Sequence, residues 1–250
     1  MDFLISVKTS AILISFGLLF CAERFFPRDL RTEPKQRLFK NIAFWPIAAV
    51  LSIIIILPVT HEAAQWHLWE RPLVLQSVLL DIILLDAFIY FWHRALHEVP
   101  FLWRFHQVHH HDRMLDTTTA LRFHFGELTL SAMVRAIFIM LLAIPFTSVL
   151  WFEGGVLIAA LFHHSNIKLP GKLEGFLSRI IITPSIHWVH HHAKRADTDA
   201  NYGTILSVWD PIFRTRSSFK RTDEMSIGIE EIPNDLPFWK LLTVPFKKKK

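Results

Sequence analysis

Apolar residues run in long blocks along the chain up to residue 164, and polar residues gather between the blocks. Five blocks stand out, at about 3–22, 41–60, 73–92, 128–146 and 148–164. Each approaches the roughly 20 residues a helix needs to cross a bilayer, the last two being short. Pro145 and Thr147 break the last pair into a hairpin, spanning or re-entrant. The run Phe3 to Phe20 lacks a basic leader and a small-x-small cleavage site, so it reads as a retained span. The pattern predicts an all-α membrane protein with four to five transmembrane or re-entrant helices and a helical cap. Three stretches follow: 1–72, transmembrane helices and a basic loop; 73–215, the region carrying the chemistry; 216–250, a polar tail that packs, if at all, through Phe238 and Trp239.

Composition sharpens the membrane reading. Hydrophobic residues make up 52% and charged residues 20%, and 22 Phe and nine Trp stand against two Tyr. The formal charge of +5 collects in Lys247 to Lys250 and in the segment from Arg24 to Lys40. Such basic segments beside apolar spans meet anionic lipid, and no nucleic-acid motif is present. Loop cations Arg24, Arg28, Arg31, Lys35, Arg37 and Lys40 place segment 23–40 in the cytoplasm. Counting spans from there puts 61–72, with His61 and His67, on the far side, and residue 93 and the stretch 165–250 on the cytoplasmic side. The lone Cys21 excludes an intramolecular disulfide and a cysteine metal site, and reads as a buried thiol.

Of the 15 histidines, all but His61 and His67 lie between 93 and 192. His93 and His97 are four apart, so on a helix they share a face. In His106-Gln-Val-His109-His110 and His187-Trp-Val-His190-His191 the spacing is i, i+3, i+4, again one face. Helical H-x-x-x-H lets two imidazoles reach one ion. Eight such nitrogens exceed one tetrahedral zinc and suit two ions of higher coordination. The topology puts all three clusters on one membrane face. His164, at the end of the hairpin, is a ninth candidate ligand with His163 as its rival. His124 is a candidate ligand or supporting residue, whereas His111 and His192 point off the shared faces. Neutral imidazoles leave the ionic charge uncompensated, so nearby carboxylates are expected to orient the rings. Asp86, two turns before His93, and Glu127 and Asp210 are candidates, as are Asp112, Asp116 and Asp197, and Asn166 is a further candidate ligand or supporting residue.

The runs His93-Arg-Ala-Leu-His97, His106-Gln-Val-His-His110 and His187-Trp-Val-His-His191 resemble the fatty acid hydroxylase/sterol desaturase superfamily, in its bacterial members. Flanking stretches are similar too, among them Asp86 to Trp92, Arg122-Phe-His-Phe-Gly-Glu127, His164-Ser-Asn166, Asn201-Tyr-Gly203 and Trp209-Asp210. The likeness covers about 73–215. One departure is Phe125, where family members often carry proline. The resemblance implies a histidine-ligated di-iron centre with O2 as co-substrate, held by His93, His97, His106, His109, His110, His187, His190 and His191, with His164 added. It implies hydroxylation or desaturation of a bilayer lipid. Zinc can occupy such ligands in a purified sample. With no haem or flavin module in view, electrons are expected from a separate cytochrome b5-like protein or a ferredoxin and its reductase. Arg104, Arg113, Lys194 and Arg195 are candidate docking cations. The bacterial likeness favours the inner membrane over the endoplasmic reticulum, with a cytoplasmic active site. Two other classes compete: a membrane metal transporter, disfavoured by spans read as almost purely apolar, and a catalytically silent metal-binding membrane protein.

Overall fold

The computed structural model describes residues 2–30, 35–66, 68–230 and 236–247. Arg31, His67, Pro233 and Lys248 to Lys250 lie outside the described residues. Helix α1 (Asp2–Phe25) is followed by α2 (Lys35–Leu51), which runs through a π-turn (Ser52–Ile56) into α3 (Leu57–Gln65). Pro58 has no N–H, so the carbonyl four residues earlier, inside that turn, loses its helical donor. The result is a bent helix of 31 residues, longer than the 41–60 block. Next come α4 (Val78–Glu98), α5 (Pro100–His110), α6 (Phe125–Leu142) and α7 (Phe146–His164). Short helices α8 (Gly171–Leu177), α9 (Pro184–His190), α10 (Arg195–Thr198), α11 (Trp209–Phe213) and α12 (Phe238–Thr243) complete the chain. The described residues form isolated bridges but no sheet.

Four helices are long and apolar enough to cross a membrane: Phe3–Phe25, Lys35–Gln65, Phe125–Leu142 and Phe146–His164. The hairpin helices α6 and α7 are both among them. The block 73–92 is not. A short turn (Leu73–Leu75) precedes α4, whose helix carries Asp81, Asp86 and Arg94 and runs on to Glu98. Cys21 also departs from expectation, being exposed on the outside of α1.

Ala63, Leu85, Ala136, Ile139, Ile144, Val149 and Phe152 form the core between α3, α4, α6 and α7. The spans are less purely apolar than the sequence suggested. Glu153 of α7 accepts from Lys8 of α1 at 2.9 Å and from Arg135 of α6 at 2.7 Å. These charges pair with one another and meet no imidazole. The polar tail is also fixed more firmly than expected. Met225 and Ile227 join Leu115, Trp188 and Val189 in one buried cluster, and Leu241 of α12 joins Phe44 and Val108 in another.

The helix ends near the histidines are tied together by polar contacts. Glu23, near the end of α1, accepts from the backbone N–H groups of Thr117 and Asn166, each at 2.9 Å. Arg37, counted by sequence among loop cations, lies buried in α2. Its guanidinium donates to both Asp112 oxygens at 2.5 and 2.8 Å, to Asp116 at 2.7 Å and to the Met114 carbonyl at 2.6 Å. Asn41 adds a further donor to Asp112 at 2.8 Å. Burial alone would raise the Asp112 pKa, but Arg37 and Arg122 outweigh it and hold the carboxyl down at about 2. This network clamps the α2 start to the loop after the second histidine cluster.

Candidate metal centre

Proline sets the corner on which the site is built. The residue before a proline is driven out of the helical region, and Val99, before Pro100, is extended at φ −93° and ψ 113°. There α4 stops and α5 turns back, so His93 and His97 face His106 and His110. Helix α7 brings His164 from below, and α9 brings His187, His190 and His191 from the other side.

Nine buried histidines meet in two groups. One holds His93, His97, His106, His110 and His190; the other holds His109, His164, His187 and His191. Within each group the nearest ring nitrogens all lie within 4.8 Å of one another. The groups adjoin, with the His110 and His191 rings stacked at 4.2 Å. Each H-x-x-H-H run is divided between them. His106 and His110 enter the first group while His109 enters the second. His187 and His191 enter the second while His190 enters the first. A helix face is broad enough for this, since i and i+4 lie one above the other and i+3 is displaced around the axis.

The donor set fits metal ions. Nε2 of His164 lies 2.9 Å from Nε2 of both His109 and His187, and Nε2 of His187 lies 3.1 Å from that of His191. A neutral ring nitrogen gives one proton or accepts one, so the three contacts cannot all be hydrogen bonds. Two ligands at right angles on an ion, with bonds of about 2.1 Å, lie about 3.0 Å apart, against about 3.4 Å for a tetrahedral pair. The spacing suits imidazoles that converge on one ion. Nε2 of His97 and His190, both ring nitrogens of His110, and Nδ1 of His187 and His191 are buried without any hydrogen-bond partner. At about 1–3 kcal/mol for each orphan, their joint cost rivals the whole net stability of a domain, about 5–15 kcal/mol. A bound cation would satisfy the inward Nε2 atoms of His97, His110 and His190.

Most of the rings are already aimed. Nδ1 donates to the Tyr202 carbonyl from His93 (2.9 Å), to Asp199 from His97 (3.3 Å) and to Glu127 from His106 (2.9 Å). It donates to the carbonyls of Arg122 from His109 (3.3 Å), Ala160 from His164 (2.7 Å) and Ala200 from His190 (2.7 Å). A proton held on Nδ1 leaves the Nε2 lone pair for a metal. Asn201 takes a left-handed φ of 57°, which asparagine tolerates better than most residues. That turn lets its neighbours Ala200 and Tyr202 both offer carbonyls to the first group. Burial lowers the pKa of His97, His109, His110, His187, His190 and His191, and takes His93 down to about 3, with neighbouring imidazoles adding to the effect. The rings are thus neutral at physiological pH.

Other candidates stand elsewhere. His163 packs on His187 at 3.9 Å and enters neither group. His124 caps α6 by accepting from Gly126 N–H at 3.0 Å, and its Nε2 donates to the Leu242 carbonyl. Asp86, expected to orient an imidazole, accepts instead from the N–H groups of Ile205 and Leu206 and from Trp209 Nε1. Asp210 accepts from the N–H groups of Tyr202 and Gly203, so it holds the loop that supports His93 without touching a ring. Asn166 bonds across to Asp29 at the end of α1. Asp112 and Asp116 serve Arg37, and Asp197 serves His192 at 2.9 Å. Asp199 and the supporting carbonyls went unnoticed in the sequence. Backbone acceptors leave no sequence signal, but Asp199 lies close behind the third cluster and was open to consideration.

Fold and site define a helical membrane protein with a buried, all-histidine centre able to bind metal. Residues 78–215 match the fatty acid hydroxylase family, and the chain belongs to that family. It is 32% identical over 165 residues, 65% of its length, to the ornithine lipid hydroxylase of Rhizobium tropici. It is 33% identical over 150 residues, 59% of its length, to human alkylglycerol monooxygenase. It is 24% identical over 212 residues, 80% of its length, to human lathosterol oxidase. These matches span 49%, 31% and 68% of the three relatives, so the chain covers about half or less of the first two. No solved structure matches the chain.

Proposed function

We propose that this protein is an O2-dependent lipid hydroxylase or desaturase with two iron ions on its nine histidines. The observation that carries this reading is the pair of adjoining, buried histidine groups whose ring nitrogens converge. His93, His97, His106, His110 and His190 hold one ion, and His109, His164, His187 and His191 hold the other. Bound iron supplies the redox chemistry that activates O2 against an unactivated C–H bond, which redox-inert zinc cannot do.

The chain's own residues do the rest. Glu127 and Asp199 offset part of the ionic charge and fix the His106 and His97 rings. Carbonyls of Tyr202, Ala200, Arg122 and Ala160 fix four more. The apolar flanks of α6 and α7 accept the lipid chain and exclude water. Hydroxylation consumes one O2, two electrons and two protons, forming one C–OH bond and one water. Desaturation draws on the same oxidant and removes two hydrogens. The electrons come from a separate one-electron donor, of cytochrome b5 or ferredoxin type. The loop cations Arg24, Arg28 and Lys35 at the histidine end support a cytoplasmic site, in a bacterial inner membrane. The relatives act, by name, on an ornithine lipid, an alkylglycerol and a sterol, and the substrate class here is a membrane lipid.

Mass spectrometry of lipids from cells with and without the protein tests this reading. A lipid heavier by one oxygen, or lighter by two hydrogens, is expected with the protein and absent with His109→Ala. Identical lipid profiles for the protein and the variant would contradict it.

A further inference from the structure

One ring links the five-histidine group to the protein surface. Trp103 of α5 lies with its indole centroid 5.0 Å from the His97 ring and 5.3 Å from the His110 ring. The Arg195 guanidinium sits over the same indole, 4.0 Å from its centroid. Among the described residues, the other non-histidine rings packed on the nine imidazoles are Tyr202 and Phe123. Tyr202 is buried, and Phe123 touches only His109 of the four-histidine group. Trp103 alone joins a large polarisable ring, partial exposure and contact with three imidazoles, those of His97, His106 and His110.

Arg195 is fastened to the same corner. It donates to the His97 carbonyl at 2.7 Å and to Asp199 at 2.6 Å, and Asp199 in turn meets His97 Nδ1. Half its side chain is still exposed. Val99 and Phe101 are exposed at the α4–α5 corner, and exposed Lys194 precedes Arg195. Arg94 and Glu98 lie on the adjoining face of α4, and Arg104 follows Trp103. Four cations thus accompany two carboxylates around an apolar rim, the arrangement that steers an acidic protein partner.

Resting on the di-metal reading above, we propose that electrons reach the centre through the Trp103 indole. The surface of Val99, Phe101, Lys194 and Arg195 docks an acidic one-electron carrier protein. Each encounter oxidises the carrier by one electron and reduces the centre by one, and two encounters supply one turnover. Trp103 packs on His97, His106 and His110, so it acts through those rings.

The test uses the full chain, iron-loaded without oxygen in lipid nanodiscs and then oxidised. A reduced plant-type [2Fe–2S] ferredoxin is mixed in, and reduction is followed by absorbance. Trp103→Leu is expected to slow reduction about tenfold at unchanged iron content, with Trp103→Phe between it and the parent. Parental rates in Trp103→Leu, or slowing that merely tracks lost iron, would overturn the proposal. If Trp103→Leu does not fold, Arg195→Gln is read instead. It is expected to raise the carrier concentration for half-maximal rate about threefold or more and to flatten the salt dependence. No change in either overturns the proposal. A parent protein that binds no iron would contradict the di-metal reading, whereas a parent and variant reduced alike would contradict this inference alone.

Discussion

Two buried polar assemblies lie at the same end of the helices, and they differ in completeness. In the Arg37 network the donors of the guanidinium and of Asn41 meet acceptors on Asp112, Asp116, Met114 and the neighbouring threonines. In the histidine groups the outward Nδ1 atoms are mostly paired while inward nitrogens face one another or nothing. A closed network is a clamp, because its polar groups are satisfied by the chain itself. An open one is half of a complex, because its groups are satisfied only by something bound. Burial alone does not separate the two, since both are nearly inaccessible. Satisfaction does.

The sharpest way to break this contrast is to cut each assembly in turn. Arg37→Met removes the main cation from buried Asp112, leaving Arg122 at 3.8 Å, and should cost about 3 kcal/mol of stability, with or without metal. Thermal unfolding of iron-loaded and iron-free protein measures it, and equal loss in both is expected. His109→Ala should do the reverse. It should abolish product formation and lower the unfolding temperature of loaded protein while leaving iron-free protein nearly unchanged.

Supporting residues give smaller effects. Glu127 is buried and holds His106 at 2.9 Å, so Glu127→Gln should weaken iron binding about 10–100-fold. Competition with a chelator reads that loss. Asp199 is a third exposed and holds His97 at 3.3 Å, so Asp199→Asn should lie at or below the bottom of that range. Matching losses for the two would erase the distinction drawn from burial.

Acid should also act on the two assemblies at different pH. Burial holds His97, His109, His110, His187, His190 and His191 well below their ordinary 6.5 and takes His93 down to about 3. The folded protein therefore keeps these rings neutral and metal-ready below 6.5, while the unfolded chain takes up protons there, so stability falls as pH drops below about 6.5. Asp112 is depressed from 3.8 to about 2. Its contribution to stability is complete above about 3.8 and fades as pH falls toward 2. At about pH 5 the folded protein should still hold its iron but unfold at a lower temperature than at pH 7, a result that metal analysis and thermal unfolding on one sample can read.

Much of this was legible in the sequence, and the parts that were not have physical causes. Apolar blocks marked α1, the bent helix and the α6–α7 hairpin, because a bilayer demands length and low charge. The block 73–92 forms its long helix only from Val78, and its acids Asp81 and Asp86 serve Arg71, Ser148 and the 205–209 loop inside the protein. Histidine spacing showed which rings share a face. It did not show that each H-x-x-H-H run is split between two groups, since that depends on how helices α5 and α9 face each other. Asp86 looked suited to orienting His93 by periodicity, but the loop carbonyl of Tyr202 holds that role. Arg37 read as a loop cation because its acidic partners lie far along the chain.

The most direct test is the iron content of protein purified without oxygen, measured for the parent and one variant from each histidine group. The account predicts two ions per chain in the parent, with His97→Ala losing the ion of the five-histidine group and His109→Ala losing that of the four-histidine group. One ion or none in an active parent preparation would contradict it.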